Sequence, residues 1–302
     1  MDVVHGSYDY TLVSFSIIAA IIAAYISIDL LDMYLSSEKK SERIKWRVFA
    51  ATSLGLGIWI MHFIGMFANK MSMTVHYDGM ITIASLVVAI AACFIGVGFI
   101  RGTKQQIMFY GSVFMGLGIV SMHYLGMYAM HMPAIHSYNL LLVALSVVVA
   151  VVVSGIGLLM IKSLYETKKI DSIPLKSLAA IVLGSAMSSM HYLGMAAMTH
   201  VMDSSHGHSV DIIGFVIDSD FLMTEVVVGG VVLLMFSFYT VSSERSVLKQ
   251  LKKERKLLKS SENKLSTLLS NIADAVVVIN DRGQIEMFNL SAEKLFGYKE
   301  KE

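Results

Sequence analysis

Seven long apolar runs, each long enough to cross a bilayer, leave this chain few folds. A membrane-crossing helix needs roughly 20 mostly apolar residues, because the hydrocarbon core offers its backbone no outside hydrogen-bond partner. Such runs lie near residues 9–31, 46–68, 79–100, 107–129, 138–162, 175–199 and 221–243. Hydrophobic residues make up 55% of the 302, and the 16% that are charged cluster between the runs. The pattern predicts an all-α membrane fold with seven transmembrane helices. The first ten residues carry no basic residue and no small-residue cleavage pattern. The first run therefore reads as a retained helix rather than a signal peptide.

The loops alternate in charge. Lys39, Lys40, Arg43, Lys45 and Arg47 follow or flank the first run; Arg101 and Lys104 follow the third; Lys162, Lys168, Lys169 and Lys176 surround the fifth loop. The segment after the seventh run is basic again from Arg245. The second loop has only Lys70, the fourth and sixth have no Lys or Arg, and the sixth carries Asp203, Asp211, Asp218 and Asp220. Cytoplasmic loops are the basic ones, so the N-terminus is expected outside and the C-terminus in the cytoplasm.

Three copies of one motif ride on the second, fourth and sixth runs: Met61-His62-Phe63-Ile64-Gly65-Met66, Met122-His123-Tyr124-Leu125-Gly126-Met127 and Met190-His191-Tyr192-Leu193-Gly194-Met195. These runs all point the same way, so the histidines are expected at one depth near the outer surface. Glycine recurs seven residues before each histidine (Gly55, Gly116, Gly184) and three after it (Gly65, Gly126, Gly194). Positions −7, 0, +3 and +4 share one helix face, and small residues on that face let membrane helices approach closely. The expected unit is a helical hairpin used three times after a lone first helix.

A histidine within a membrane span is costly and marks a functional site by default. His62 with Met66, His123 with Met127 and His191 with Met195 each offer imidazole and thioether on one face. That donor set suits copper and lacks the carboxylates that a hard cation needs. Met61, Met122 and Met190 lie about 100° away round their helices and rank below. Haem held between two of the histidines is the competing cofactor. Further donors on the outer side include Met73, His76, Met130, His131, His136 and His200, with the loop pair His206 and His208. Phe63, Tyr124 and Tyr192 read as interfacial aromatics, and Asp29 and Asp32 as interfacial acids at the inner end of the first run.

Other chemistry is disfavoured. The single cysteine, Cys93, allows no disulfide within one chain and leaves a cysteine-based metal cluster without ligands. A net charge of +1 suggests no nucleic-acid partner. The seventh run has no lysine for a retinal Schiff base. No nucleotide-binding loop or catalytic triad is visible, so the chain is expected to be no enzyme by itself.

Beyond the last run, Leu248, Leu251, Leu258, Leu265, Leu269 and Ile272 fall on heptad positions a and d, interrupted by Arg255 and Glu262. This reads as a helix that pairs with a second copy of the chain. Ala275–Ile279, the turn at Asn280–Gly283 and Gln284–Phe288 then read as strand, turn and strand, followed by a helix near 291–296.

The triplicated motif on even-numbered spans closely resembles the MHYT sensor domain of bacterial signalling proteins, over roughly residues 8–245. The family's threonine is replaced by Ile64, Leu125 and Leu193. The tail from about 262 to 302 is similar to the opening of a PAS domain, with Asn289-Leu-Ser-Ala-Glu-Lys-Leu-Phe-Gly-Tyr298 matching its first helix region. The resemblance implies three parts: a seven-helix sensor at 1–246, a helical linker at 247–270 and a PAS fragment at 271–302. It implies a bacterial cytoplasmic membrane, copper held by the His and Met residues, and sensing of O2, CO, NO or redox state. Relatives of this kind often end in cyclic-di-GMP enzymes or histidine kinases. Against this stand three other readings: a haem or copper redox protein, a copper transporter, and a scaffold whose motifs only pack helices.

Overall fold

A computed structural model describes residues 3–4, 6–71, 74–132, 134–202 and 215–298. His206, His208, Met73 and most of the sixth loop lie outside them. The chain divides into two compact units, Met1–Val241 and Ser242–Glu302.

The seven expected spans are present as helices, six of them wholly within the first unit. They are α1 (Tyr10–Ser36), α2 (Lys40–Phe67), α3 (Gly79–Gly98), α4 (Lys104–Tyr128), α5 (Leu140–Glu166), α6 (Ile173–Ala196) and α7 (Ser219–Asn271). Hydropathy marks only the apolar part of each helix. Thus α2 begins six residues before the run, at charged positions whose long side chains reach polar surroundings. α4 opens through one π-helical turn at Ile107–Gly111. α7 runs on without a break at 246, since no Gly or Pro interrupts it between the span and the heptad segment.

Six of the helices close a ring in chain order: α1 packs on α2, each on the next, and α6 returns to α1. α7 meets the ring through Gly230, where an added Cβ would lie 2.5 Å from Ile60 Cδ1. The ring has a threefold internal repeat. Asp9, Asp78 and Asn139 cap the N-termini of α1, α3 and α5 with side-chain oxygens that accept backbone N–H groups, the usual role of these residue types. Their own N–H groups donate to Ala68, Ala129 and Ala197, the C-caps of α2, α4 and α6, each at 2.8 Å. Gly55, Gly116 and Gly184 let the backbones of α3, α5 and α1 approach α2, α4 and α6 respectively; an added Cβ would lie 2.6–2.8 Å from Ile90, Val151 and Ile21. α1 is thus the equal of α3 and α5. The expectation of a lone first helix is corrected: α7 is the extra one, and α1 closes the ring.

Short strands cover the end of the ring where the motifs lie. β1 (Val3–Val4) and β6 (Ala134–Tyr138) pair with β7 (Met198–Met202); β2 (Ser7–Tyr8) pairs with β3 (Asn69–Lys70); β4 (His76–Asp78) pairs with β5 (Met130–His131) and β8 (Val216–Asp218). In each repeat the strand before an odd helix pairs with the strand after the next even one. Sequence patterning gave no sign of these strands, because two to five residues are too few for a visible alternation.

At the opposite end, basic side chains reach into the ring. Arg47 Nε donates to Phe94 O, Arg101 to Tyr34 O and Leu35 O, and Lys162 to Ile100 O and Gly102 O. Lys176 donates to both carboxylate oxygens of Asp29, at 2.8 and 3.0 Å, with both residues buried. Asp29 is therefore a packed partner of α6, not the interfacial acid that its position suggested.

The second unit contains β9 (Val277–Ile279) and β10 (Ile285–Phe288), an antiparallel pair, then α8 (Leu290–Phe296). Asn280 Oδ1 accepts from Arg282 N and Gln284 N in the turn, and Gly283 adopts φ 77°, a conformation that favours glycine. Asn289 ties the unit together: it caps α8 and donates to Leu269 O and Asp274 O.

Candidate metal centre

His62, His123 and His191 each stand five residues before the last residue of α2, α4 and α6. At ~1.5 Å per residue this places all three about 7–8 Å inside the helix ends. The ring brings them together. Nδ1 of His62 lies 3.1 Å from Nδ1 of His191 and 3.1 Å from Nδ1 of His123, and the last pair is 3.3 Å apart. The imidazoles meet edge to face, and all three residues are fully buried.

The seats for these rings are the motif glycines of the next helix. An added Cβ on Gly126 would lie 2.3 Å from His62 Nε2; Gly194 stands likewise to His123, and Gly65 to His191. The glycine three residues after each histidine thus makes room for a neighbour's imidazole. That specific use is not readable from one helix, since it depends on how three helices are arranged.

Aromatic residues flank this layer. Tyr192 and Ser16 share a hydrogen bond at 2.7 Å, and Tyr124 and Ser146 one at 3.0 Å. In the copy where Phe63 replaces tyrosine, the Trp59 indole donates to Ser85 at 2.9 Å. The two tyrosines therefore tie even helices to odd ones, a role the interfacial reading missed. Tyr8, Tyr77 and Tyr138 pack edge to face on Tyr192, Phe63 and Tyr124. A signal for this was present: Tyr-Asp/Asn followed seven residues later by Ser occurs at Tyr8, Tyr77 and Tyr138.

Met66, Met127 and Met195 are buried one turn beyond the histidines on the same faces. Met61, Met122 and Met190 are buried too. An open cavity of about 1120 Å³ at this end is lined by Met66, His76, Tyr77, Met130, Asp218 and Met223. It brings one predicted site methionine, Met66, to the same cavity as His76 and Met130. At this end Lys70 holds the Asp9 carboxyl below its usual range through a 2.8 Å ion pair. Burial, reinforced by His131, lowers the pKa of His136.

The three Nδ1 atoms fit a single cation. A neutral imidazole has one N–H, so each Nδ1 either donates or accepts. Among three such atoms at least two are alike, and one edge of the triangle then opposes two lone pairs or two N–H groups. Each Nε2 is buried with no hydrogen-bond partner among the described residues. The centre of a triangle with sides of 3.1–3.3 Å lies about 1.8 Å from each corner (side divided by √3). That is close to the ~2.0–2.1 Å typical of imidazole ligation, so His62, His123 and His191 would be able to hold one cation together. His62, His123 and His191 are the one such donor group among the described residues.

Two stretches of the chain, residues 55–109 and 116–169, match the MHYT family, described as the bacterial signalling protein N-terminal repeat. Residues 263–302 match the PAS domain. The chain carries an MHYT-type membrane sensor domain followed by a PAS segment. Each MHYT match opens at or on the first equivalent glycine, Gly55 or Gly116, and runs through the next odd helix. Among curated relatives, signaling protein YkoW of Bacillus subtilis is 29% identical over 98% of this chain and 36% of its own length. The bifunctional diguanylate cyclase/cyclic di-GMP phosphodiesterase MucR of Pseudomonas aeruginosa is 34% identical over 67% of this chain and 30% of its own. The cyclic di-GMP phosphodiesterase NbdA of the same organism is 31% identical over 64% and 24%. The chain thus spans about a third or less of the length of these relatives. No solved structure matches it. The families matched in this chain are sensory: an MHYT membrane sensor with a PAS domain.

Proposed function

We propose that this MHYT domain binds one copper ion at His62, His123 and His191, with Met66, Met127 and Met195 as soft donors on the outer side, and signals its state to the cytoplasm. The observation that carries the proposal is the buried Nδ1 triangle, whose donor conflict a cation relieves. At least one edge of the triangle sets two lone pairs or two N–H groups against each other in a dry core, where a polar atom without a complementary partner costs about 1–3 kcal/mol, so the arrangement calls for an occupant. Copper suits imidazole with thioether. The compact triangle favours copper over haem, because a macrocycle would have to separate two axial imidazoles that here touch each other and a third. When bound, copper would supply reactivity toward O2, CO or NO, or a change of redox state. The residues of the chain set the geometry: Gly65, Gly126 and Gly194 seat the rings, and the Tyr–Ser and Trp–Ser pairs link each motif helix to an odd helix.

A signal requires two packings that the ligand distinguishes. In this proposal a change in the triangle shifts α2, α4 and α6, and α7 carries the bias to the PAS segment. The exposed leucines Leu248, Leu251, Leu258 and Leu265 support pairing of the extension with a second copy. The output belongs to whatever the PAS segment engages; the relatives suggest cyclic-di-GMP turnover. The N-terminus lies outside a bacterial cytoplasmic membrane in this reading, supported by the basic alternate loops.

Metal analysis with a visible spectrum tests the site, on detergent-purified wild type beside a His62→Ala/His123→Ala/His191→Ala variant. Near-stoichiometric copper in wild type, absent from the variant, is expected. Equal copper in both, or an intense haem spectrum, would sink the assignment. Single-cysteine reporters read sidedness and pairing, since Cys93 is buried. Lys70→Cys should react with an impermeant thiol reagent on intact cells, Lys104→Cys only after permeabilisation, and Leu258→Cys should cross-link two copies.

A further inference from the structure

We propose a second metal site at the rim of the ring, in which Nε2 of His76 and Nε2 of His131 bind a borderline divalent cation of the Zn²⁺ or Cu²⁺ class, with Asp218 orienting His76. The site stands apart from the buried triangle and does not rest on it.

Strand register carries the argument. In the sheet ordered β5-β4-β8, His131 lies directly opposite His76, and His76 directly opposite Asp218. Directly opposed residues project from the same face of a sheet. The neighbouring pair, Tyr77 and Met130, is buried, so the His131–His76–Asp218 row faces away from the core. The internal repeat supplies the comparison. The positions equivalent to His76 and His131 are Ser7 opposite Lys70 in one repeat and Ser137 opposite Thr199 in the other. Only this repeat places two imidazoles there.

The hydrogen bonds then fix which nitrogen is free. His131 Nδ1 lies 2.9 Å from the carbonyl of Ala129, which only accepts, so Nδ1 donates and Nε2 keeps its lone pair. His76 Nδ1 lies 2.9 Å from the Asp218 carboxylate and donates for the same reason. A metal-ligating histidine characteristically gives its other N–H to a carboxylate or a backbone carbonyl, which sets its tautomer and raises its basicity. Both forms of that support are present, one on each ring. His76 also lines the open cavity that contains Asp218 and Asp220, so a cation arriving there meets negative charge. Asp218 directly precedes Ser219, the first residue of α7. Binding would tie the entry of α7 to the second repeat of the ring.

The test is a Zn²⁺ titration of the full chain in detergent by calorimetry. His76→Gln/His131→Gln should lose one equivalent of Zn²⁺, Asp218→Asn should weaken that equivalent at least 10-fold, and His123→Ala should retain it. The last arm separates this site from the triangle: loss in His123→Ala with retention in the double variant would overturn the rim site alone. Protection guards against a misfolded variant: in wild type, Zn²⁺ should shield His76 and His131 from diethyl pyrocarbonate. Equal modification with and without Zn²⁺ would overturn the proposal.

Discussion

At the scale of single residues, the site depends on glycine as much as on histidine. His62 can occupy the triangle only because Gly126 lacks a Cβ, and the same dependence links His123 to Gly194 and His191 to Gly65. Gly126→Ala should therefore expel the His62 ring and abolish copper retention while all three histidines remain. Gly229→Ala, with nothing within 4 Å of its added Cβ, is the matched control and should bind copper as wild type does. Copper per protein chain decides both; a Gly126→Ala protein with full copper would show that the rings do not sit where the triangle requires. The histidines, the methionines at +4 and the glycines at +3 were legible in the sequence, because a three-copy motif at helical spacing exposes them. The roles of Tyr124, Tyr192, Ser16 and Ser146 were not, because each bond joins residues on different helices and one helix face carries no record of its partner.

At the scale of elements, the spans were legible almost to the residue where apolar runs end at caps, as at Asp78 and Gly79. They were not where charged helix continues past the apolar run, as at Lys40–Lys45. Ring closure was hidden for another reason: α1 and α6 meet through Gly184 and through Asp29–Lys176, residues far apart in the chain. That ion pair occurs at one of the three equivalent interfaces; Arg47 with Gly98, and Met108 with Leu159, occupy the corresponding places. A buried pair is weak evidence for net stability, but removing one partner strands the other charge. Asp29→Leu, which strands the buried Lys176 ammonium, should cost about 3–5 kcal/mol, and Asp29→Leu/Lys176→Met should recover most of it. Unfolding in mild detergent, followed by tryptophan fluorescence from Trp46 and Trp59, measures both. A double variant no better than the single would contradict an electrostatic seam between α6 and α1.

At the scale of the whole molecule, the chain joins a threefold ring, a seventh helix and the opening of a PAS domain. Membrane class and span number followed from composition and run length alone, since the bilayer leaves the backbone so few options. The threefold closure did not, because the sequence repeat is offset from the structural one: the family matches run from even helix to odd, whereas the cap bonds pair odd with even. The proposed function requires three imidazoles to meet at one copper. X-ray absorption at the copper edge of the loaded, detergent-solubilised protein tests this most directly. It should show imidazole scattering from three nitrogens at about 2.0 Å, with any thioether sulfur further out. A first shell without imidazole would contradict the account.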